Sequence, residues 1–258
     1  MPGPRLSDSL RRLPVAHRAY HDRAAGRVEN SRAAIRAAID AGYAIEIDLQ
    51  LSADGHAMVF HDDDLDRLTG ATGPVRARSA TELQGIRLKD ADEGIPTLAE
   101  VLALVAGRVP LLVELKDQDR GFGPGVGLLE ATTARLLAGY AGDVAVMSFN
   151  PHSVAEMARL LPRMPRGITS WEWKGDEADA LTTAHRDALR AIADYDRVGA
   201  SFISHHWTDL ARSRVAELAA QGADVLCWTI RSAADEAEAR KLACNVTFEG
   251  YAAAIPQA

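Results

Sequence analysis

A chain of 258 residues that is 47% hydrophobic and 25% charged carries enough apolar material to bury one large core. Its formal net charge of -7 is mixed along the length without a cationic run, which excludes nucleic acid as the main partner and fits an ordinary soluble enzyme. No apolar run is long enough to span a bilayer, and the first residues lack the apolar core of a signal peptide, so the expectation is a cytoplasmic protein without stable membrane insertion.

In chain order, short β-like runs alternate with Ala-rich segments of helical period, the pattern of an α/β fold with a parallel sheet. Strands are expected at 15–17, 44–49, 57–61, 111–116, 144–148, 167–169, 202–205 and 225–230. A helix at 31–41 has Asn30 or Ser31 as its cap, Ile35 and Ile39 on one face, and Gly42 as its stop. Further helices are expected at 98–106, 127–137, 153–161 and 213–221. Residues 62–94 break the rhythm, being polar, rich in turn residues and too long for a strand-to-helix loop, and read as an insertion over one end of the fold. Eight units predict a single (β/α)8 TIM barrel spanning 1–258, with the insertion after the third strand; a short run at 246–249 competes for the last strand slot. Cys227 and Cys244 show no zinc or C-x-x-C spacing and read as reduced packing residues.

Charges inside apolar strands are the informative exceptions. In a strand, residues i and i+2 share a face, so Glu46 and Asp48 point one way while Ile45, Ile47 and Leu49 point the other, and Glu114 and Lys116 turn inward together. Losing water costs several kcal/mol per ion, so such charges are kept only when paired or bound to an ion. In a β/α barrel the site forms at the C-terminal strand ends, where His17-Arg18 and His61-Asp62 also lie. Three carboxylates at one mouth repel each other, and oxygen-only ligation by Glu46, Asp48 and Glu114 favours one hard divalent cation, Mg²⁺ or Ca²⁺. Arg18 and Lys116 beside it suggest an anionic substrate such as a phosphate ester, with His17 and His61 as a general acid and base. Glu46 and Asp48 have a simpler alternative, salt bridges to helix arginines such as Arg36, and Glu114 and Lys116 could neutralise one another.

The order of motifs resembles the glycerophosphodiester phosphodiesterases. It runs through His17-Arg18, Glu29-Asn30, Glu46-Ile47-Asp48, Asp54-Gly55 with His61-Asp62, Ile95 to Leu98, Glu114-Leu115-Lys116, Ser148-Phe149 and Trp228-Thr229. The resemblance implies a metal-dependent hydrolase that releases glycerol 3-phosphate and an alcohol from a small-molecule glycerophosphodiester. It also implies the ion on Glu46, Asp48 and Glu114, His17 and His61 as acid and base, Arg18 and Lys116 on the phosphoryl oxygens, Glu29 as a supporting carboxylate, and Phe149 and Trp228 as walls of the glycerol pocket. Ala19 stands where the family usually has glycine, and Thr247-Phe248-Glu249 where it tends to have T-D; both bear on pocket shape. The acidic run Asp62, Asp63, Asp64 and Asp66 reads as a solvated loop and favours a water-soluble diester over a lysophospholipid. A different class of reading is a barrel that binds phosphate esters without turning them over.

Overall fold

The structure of the protein, a computed structural model, describes residues 3–256. Among the described residues nine strands form: β1 (Val15–Ala16), β2 (Ala44–Leu51), β3 (Ala57–Val59), β4 (Leu111–Leu115), β5 (Val144–Ser148), β6 (Arg166–Ser170), β7 (Phe202–His206), β8 (Asp224–Ile230) and β9 (Asn245–Phe248). All except β3 pair in parallel, in the order β1-β2-β4-β5-β6-β7-β8-β9, and β9 returns to β1 to close the ring. The result is an eight-stranded TIM barrel with helices between its strands.

The strand expected at 57–61 is the one that does not belong to the ring. It pairs antiparallel to β2, Leu49 opposite Val59, after a turn at 52–56 closed by the Ser52 amide on the His56 carbonyl at 2.9 Å. A parallel return needs a crossover of about a dozen residues or more, which this turn cannot supply, so the run folds back as a hairpin. β9 therefore takes the last barrel position. The insertion at 62–94 does follow the third strand of the chain, but that strand lies outside the barrel.

Among the described residues ten α-helices accompany the strands: α1 (Asp8–Arg12), α2 (Arg32–Ala41), α3 (Ala80–Gly85), α4 (Leu98–Val105), α5 (Leu128–Leu137), α6 (Pro151–Leu160), α7 (Asp176–Asp179), α8 (Thr183–Arg190), α9 (Ser213–Ala220) and α10 (Ala233–Ala239). In α2 the Ser31 hydroxyl accepts the Ala34 amide at 3.1 Å, Ile35 and Ala38 are buried, and Gly42 ends the helix at φ +76°. Strand alternation divides the core in two. Val15, Ala44, Leu112, Ala145, Met147, Phe202 and Leu226 fill the barrel interior, and Leu6 and Leu10 pack into the same cluster. Ile45, Ile47, Leu49, Val113 and Leu115 face outward against the helices. Interior packing is tight at β6, where a Cβ on Gly167 would lie 2.3 Å from the Phe202 ring. Although polar in composition, the insertion has a core of its own: Leu65, Leu68, Val75, Leu83 and Leu88 bury themselves with Met58 and Phe60. Both cysteines are free, and burial pushes the Cys227 thiol up to about 12, as a packing role requires.

Candidate active site

Alternation also decides which charges reach the barrel interior. Ala44 points inward on β2, so Glu46 and Asp48 do too; Leu112 points inward on β4, so Glu114 and then Lys116 follow. The parallel register sets Asp48 opposite Glu114, and oxygens of Glu46, Asp48 and Glu114 lie within 4.8 Å of one another, all three residues buried. Arg36 is exposed on α2, which removes the salt-bridge alternative. Lys116 Nζ sits 2.8 Å from Asp48 Oδ1 and 2.6 Å from Glu114 Oε1. The Arg18 backbone amide donates to Glu46 Oε2 at 2.7 Å, while its guanidinium donates to Glu29 Oε1 at 2.8 Å and lies 3.8 Å from Asp48. Asn30 Nδ2 donates to Asp48 Oδ2 at 2.9 Å.

These contacts are held by a strained backbone. Arg18, Ala19 and Asn30 have φ of 50°, 65° and 58°. The left-handed region costs a residue with a Cβ roughly 1–2 kcal/mol, so Ala19 accepts a strain that glycine would not carry. Its amide donates to the Glu46 carbonyl at 3.0 Å, fixing the turn against β2.

The charges do not balance. Burial, together with the charges of Asp48 and Glu114, pushes the Glu46 carboxyl well above the usual carboxylate range. For Asp48 burial acts in the same direction, but the Lys116 ammonium, His61 and Arg18 outweigh it and hold the carboxyl far below that range. Burial would lower the Lys116 ammonium; Asp48 and Glu114 instead raise it above its ordinary value. With all three carboxylates ionised the cluster would carry more negative charge than Lys116 and Arg18 offset, and Glu46 takes up that excess by resisting ionisation. Buried oxygen donors in that state fit a hard divalent cation.

His17 and His61 are each held by a carboxylate at one ring nitrogen. His17 continues the inward row of Val15, and its Nδ1 lies 2.6 Å from Glu249 Oε2. A carboxylate can only accept, so Nδ1 carries the hydrogen and Nε2 keeps its lone pair. Burial pushes His17 below the usual imidazole value, with Glu249 opposing. Burial would raise Glu249 in turn, but the hydrogen bond from His17, the His21 ring 3.6 Å away and Arg231, whose Nε donates to its other oxygen at 2.8 Å, keep it ionised. On the opposite side the β2–β3 hairpin brings the chain back over the strand end, where the Phe60 amide donates to the Asp48 carbonyl at 3.0 Å. His61 follows, with Nδ1 2.7 Å from Asp62 Oδ1.

Phe149 extends the inward row of Ala145 and Met147, and Trp228 that of Leu226. Their rings meet edge-to-face at 5.5 Å, and the Trp228 indole N–H donates to the Ser204 carbonyl at 3.0 Å. A cavity of about 190 Å³ opens beside Lys116, lined by Asp117, Gln118, Val126, Leu128 and Ser153 among others.

The model of the glycerophosphoryl diester phosphodiesterase family matches residues 17–248. The chain belongs to that family. A glycerophosphodiester phosphodiesterase of Caldanaerobacter subterraneus subsp. tengcongensis is 30% identical over 172 residues, which are 62% of this chain and 67% of that protein. Among solved structures, a phosphodiesterase of Oleispira antarctica in complex with the product sn-glycerol-3-phosphate superposes with a TM-score of 0.73 at 23% identity, over 92% of this chain and 93% of that one. A glycerophosphodiester phosphodiesterase from Parabacteroides distasonis gives 0.70 at 21%, over 92% of each chain. At such identities the solved structures establish the shared barrel.

Within this phosphodiesterase barrel, four polar residues take parts that their sequence context did not assign them. Asn30, a candidate helix cap and a motif residue, is buried and bonded to Asp48. Asp62 sat in an acidic run that resembles a solvated loop, and Glu249 in a departure from the family pattern; each proves to hold a histidine. Arg67 carried no signal at all. A carboxylate directly after His61 was the one usable hint, since an imidazole with a neighbouring acceptor is often oriented by it.

Proposed function

We propose that the protein hydrolyses water-soluble glycerophosphodiesters to glycerol 3-phosphate and an alcohol, using His17 and His61 as its proton-transfer groups. The observation that carries this reading is the joint arrangement at one barrel mouth: three buried carboxylates, two cationic side chains, and two histidines each held at Nδ1 by a carboxylate. Binding a phosphate ester without turnover would not call for a paired acid and base. Glu46, Asp48 and Glu114 would hold one divalent cation, Mg²⁺ or Ca²⁺, which when bound offsets negative charge on the phosphoryl oxygens.

Arg18 and Lys116 approach the phosphoryl group from the same side as the carboxylates, with Glu29 fixing the Arg18 guanidinium. His17, kept neutral by burial, suits the base: it takes the proton of the glycerol 2-hydroxyl as that oxygen attacks phosphorus. His61 gives a proton to the departing alcohol. The cyclic phosphate so formed is opened by water with the two histidines exchanging roles, so that one water is consumed per diester. Phe149 and Trp228 would pack against the carbon face of the glycerol. The rim near His61 is laced with ion pairs, Asp62 to Arg67 and Asp63 to Arg120, which favours a polar leaving group over an acyl chain.

Release of glycerol 3-phosphate from glycerophosphocholine and glycerophosphoethanolamine, measured with Mg²⁺, Ca²⁺ or chelator, tests the proposal. Metal-dependent release that His17→Ala and Glu46→Gln each abolish is the expected result. Binding of the diesters without release in any metal would leave a non-catalytic barrel, and release only from lysophospholipids would move the substrate class.

A further inference from the structure

The insertion contributes a side chain that joins the two halves of the site. Arg67 donates from Nε to Asp62 Oδ2 at 2.6 Å and from Nη2 to Asp62 Oδ1 at 2.8 Å, a bidentate pair. The same guanidinium donates from Nη1 to Glu29 Oε2 at 2.8 Å and from Nη2 to Glu29 Oε1 at 2.7 Å, a second bidentate pair. Asp62 holds the His61 ring, and Glu29 holds the Arg18 guanidinium. One unbroken chain of charge-assisted hydrogen bonds therefore runs His61–Asp62–Arg67–Glu29–Arg18, from the hairpin after β2, through the insertion, to the loop after β1.

Resting on the reading above, we propose that Arg67 is a positioning residue that fixes His61 and Arg18 relative to each other, so that proton transfer to the leaving group and neutralisation of the phosphoryl charge are set by one clamp. Geometry makes the role specific to arginine. The planar fork offers five N–H donors, enough for two carboxylates at once, whereas a lysine ammonium is a point charge that cannot hold two carboxylates in a fixed relation. Without the guanidinium, Asp62 and Glu29 would face each other as like charges, and each would lose the bonds that set its orientation. Nothing comparable ties the other side together: Arg231 supports Glu249 and hence His17, but the contacts described for it do not reach the phosphate-binding arginine. Alignment of reacting groups is worth large factors in rate, and small displacements of a catalytic side chain are costly. The insertion is therefore part of the catalytic apparatus rather than a cover over it, and its separate core of Leu65, Leu68, Val75 and Leu83 serves to hold Arg67 in place.

The test compares the full-length wild type with Arg67→Ala and Arg67→Lys, alone and combined with Asp62→Asn, in glycerophosphocholine turnover at saturating Mg²⁺. The expected result is a loss of at least tenfold in kcat for Arg67→Ala, no recovery in Arg67→Lys, partial recovery when millimolar guanidinium is added to Arg67→Ala, and a much smaller effect of Arg67→Ala in the Asp62→Asn background. A merely structural role would lower thermal stability without that non-additivity and without guanidinium rescue. NMR of the imidazole-labelled protein reads the clamp without requiring turnover: with Arg67 gone, Asp62 loses the bidentate pair that aims it at His61 Nδ1, 2.7 Å away, so the ring nitrogen shifts of His61 and the Nδ1–H signal of that hydrogen bond should move or broaden. If wild type turns over no diester, the reading of function fails while these signals still decide the clamp. A folded Arg67→Ala with unchanged His61 ring signals, and with kcat unchanged where the wild type is active, would overturn the proposal.

Discussion

Replacing Glu249 by Gln separates the orientation of His17 from the rest of the site. In the wild type a half-buried carboxylate accepts the His17 Nδ1 hydrogen at 2.6 Å, which fixes the tautomer and, in the proposed mechanism, would stabilise the imidazolium formed when Nε2 takes a proton. An amide keeps the size but loses the charge, and can turn its NH₂ toward the ring. A hydrogen bond to a charged group contributes about 1.5–3 kcal/mol. At roughly 1.4 kcal/mol per tenfold, kcat should fall about 10- to 150-fold. The direction of the pH response is also fixed. Burial already lowers His17 and Glu249 opposes it, so removing the carboxylate lowers the imidazole further and the acid limb of the kcat/KM profile should move to lower pH. The assay is glycerophosphocholine turnover between pH 5 and 9 at saturating Mg²⁺, with thermal unfolding as a control for folding. A variant within twofold of wild type at every pH, with the limb in place, would refute the idea that Glu249 acts through His17.

Stability should also depend on pH in a defined window. His17 and the fully buried His205 are both pushed below the ordinary imidazole value, chiefly by burial, so these two groups bind fewer protons in the folded protein than in the unfolded chain just below pH ~6.5, whereas the raised Glu46 carboxyl works in the opposite sense. The contribution of the two histidines is present above that value and is lost as the pH falls toward the folded midpoints; thermal unfolding of Glu46→Gln, which removes the opposing carboxyl, should show a Tm that declines from pH 8 to 5, and a flat profile would contradict the assignment. Gly167→Ala places a methyl 2.3 Å from the Phe202 ring inside the barrel and should destabilise by about 1–3 kcal/mol, a drop in Tm of several degrees by calorimetry. An unchanged Tm would mean that the interior is looser than its packing indicates.

The barrel was legible in the sequence because its strands are short apolar runs whose period differs from that of the helices between them. One strand was misassigned for a topological reason. The run at 57–61 has the same composition as its neighbours, and only the shortness of the turn at 52–56 shows that it must fold back as a hairpin outside the ring. Helices such as α8 and α10 were missed because they bury so little: Leu189 alone in the first, and Glu236 and Ala239 in the second, leave no periodic apolar stripe to read. The carboxylate cluster was legible for the opposite reason. A charge that alternation sends inward from an apolar strand must be paired or bind an ion, and Glu46, Asp48 and Glu114 meet as that argument requires, with Lys116 paired to both Asp48 and Glu114.

What the sequence hid most completely was the group that holds His17, and the physical cause is distance along the chain. His17 and Glu249 are 232 residues apart and become neighbours only because β9 closes the ring against β1. Local pattern reports what a residue does within its own element, whereas the orientation of an imidazole is a tertiary property. The same ring closure explains why a glutamate can stand here. β9 ends beside β1, and the longer side chain still reaches the His17 ring while Arg231, at the end of β8, holds its second oxygen. The departure from the family pattern at this point therefore leaves the His17 ring oriented, and any effect on substrate choice must come from the space the longer side chain occupies rather than from loss of the contact.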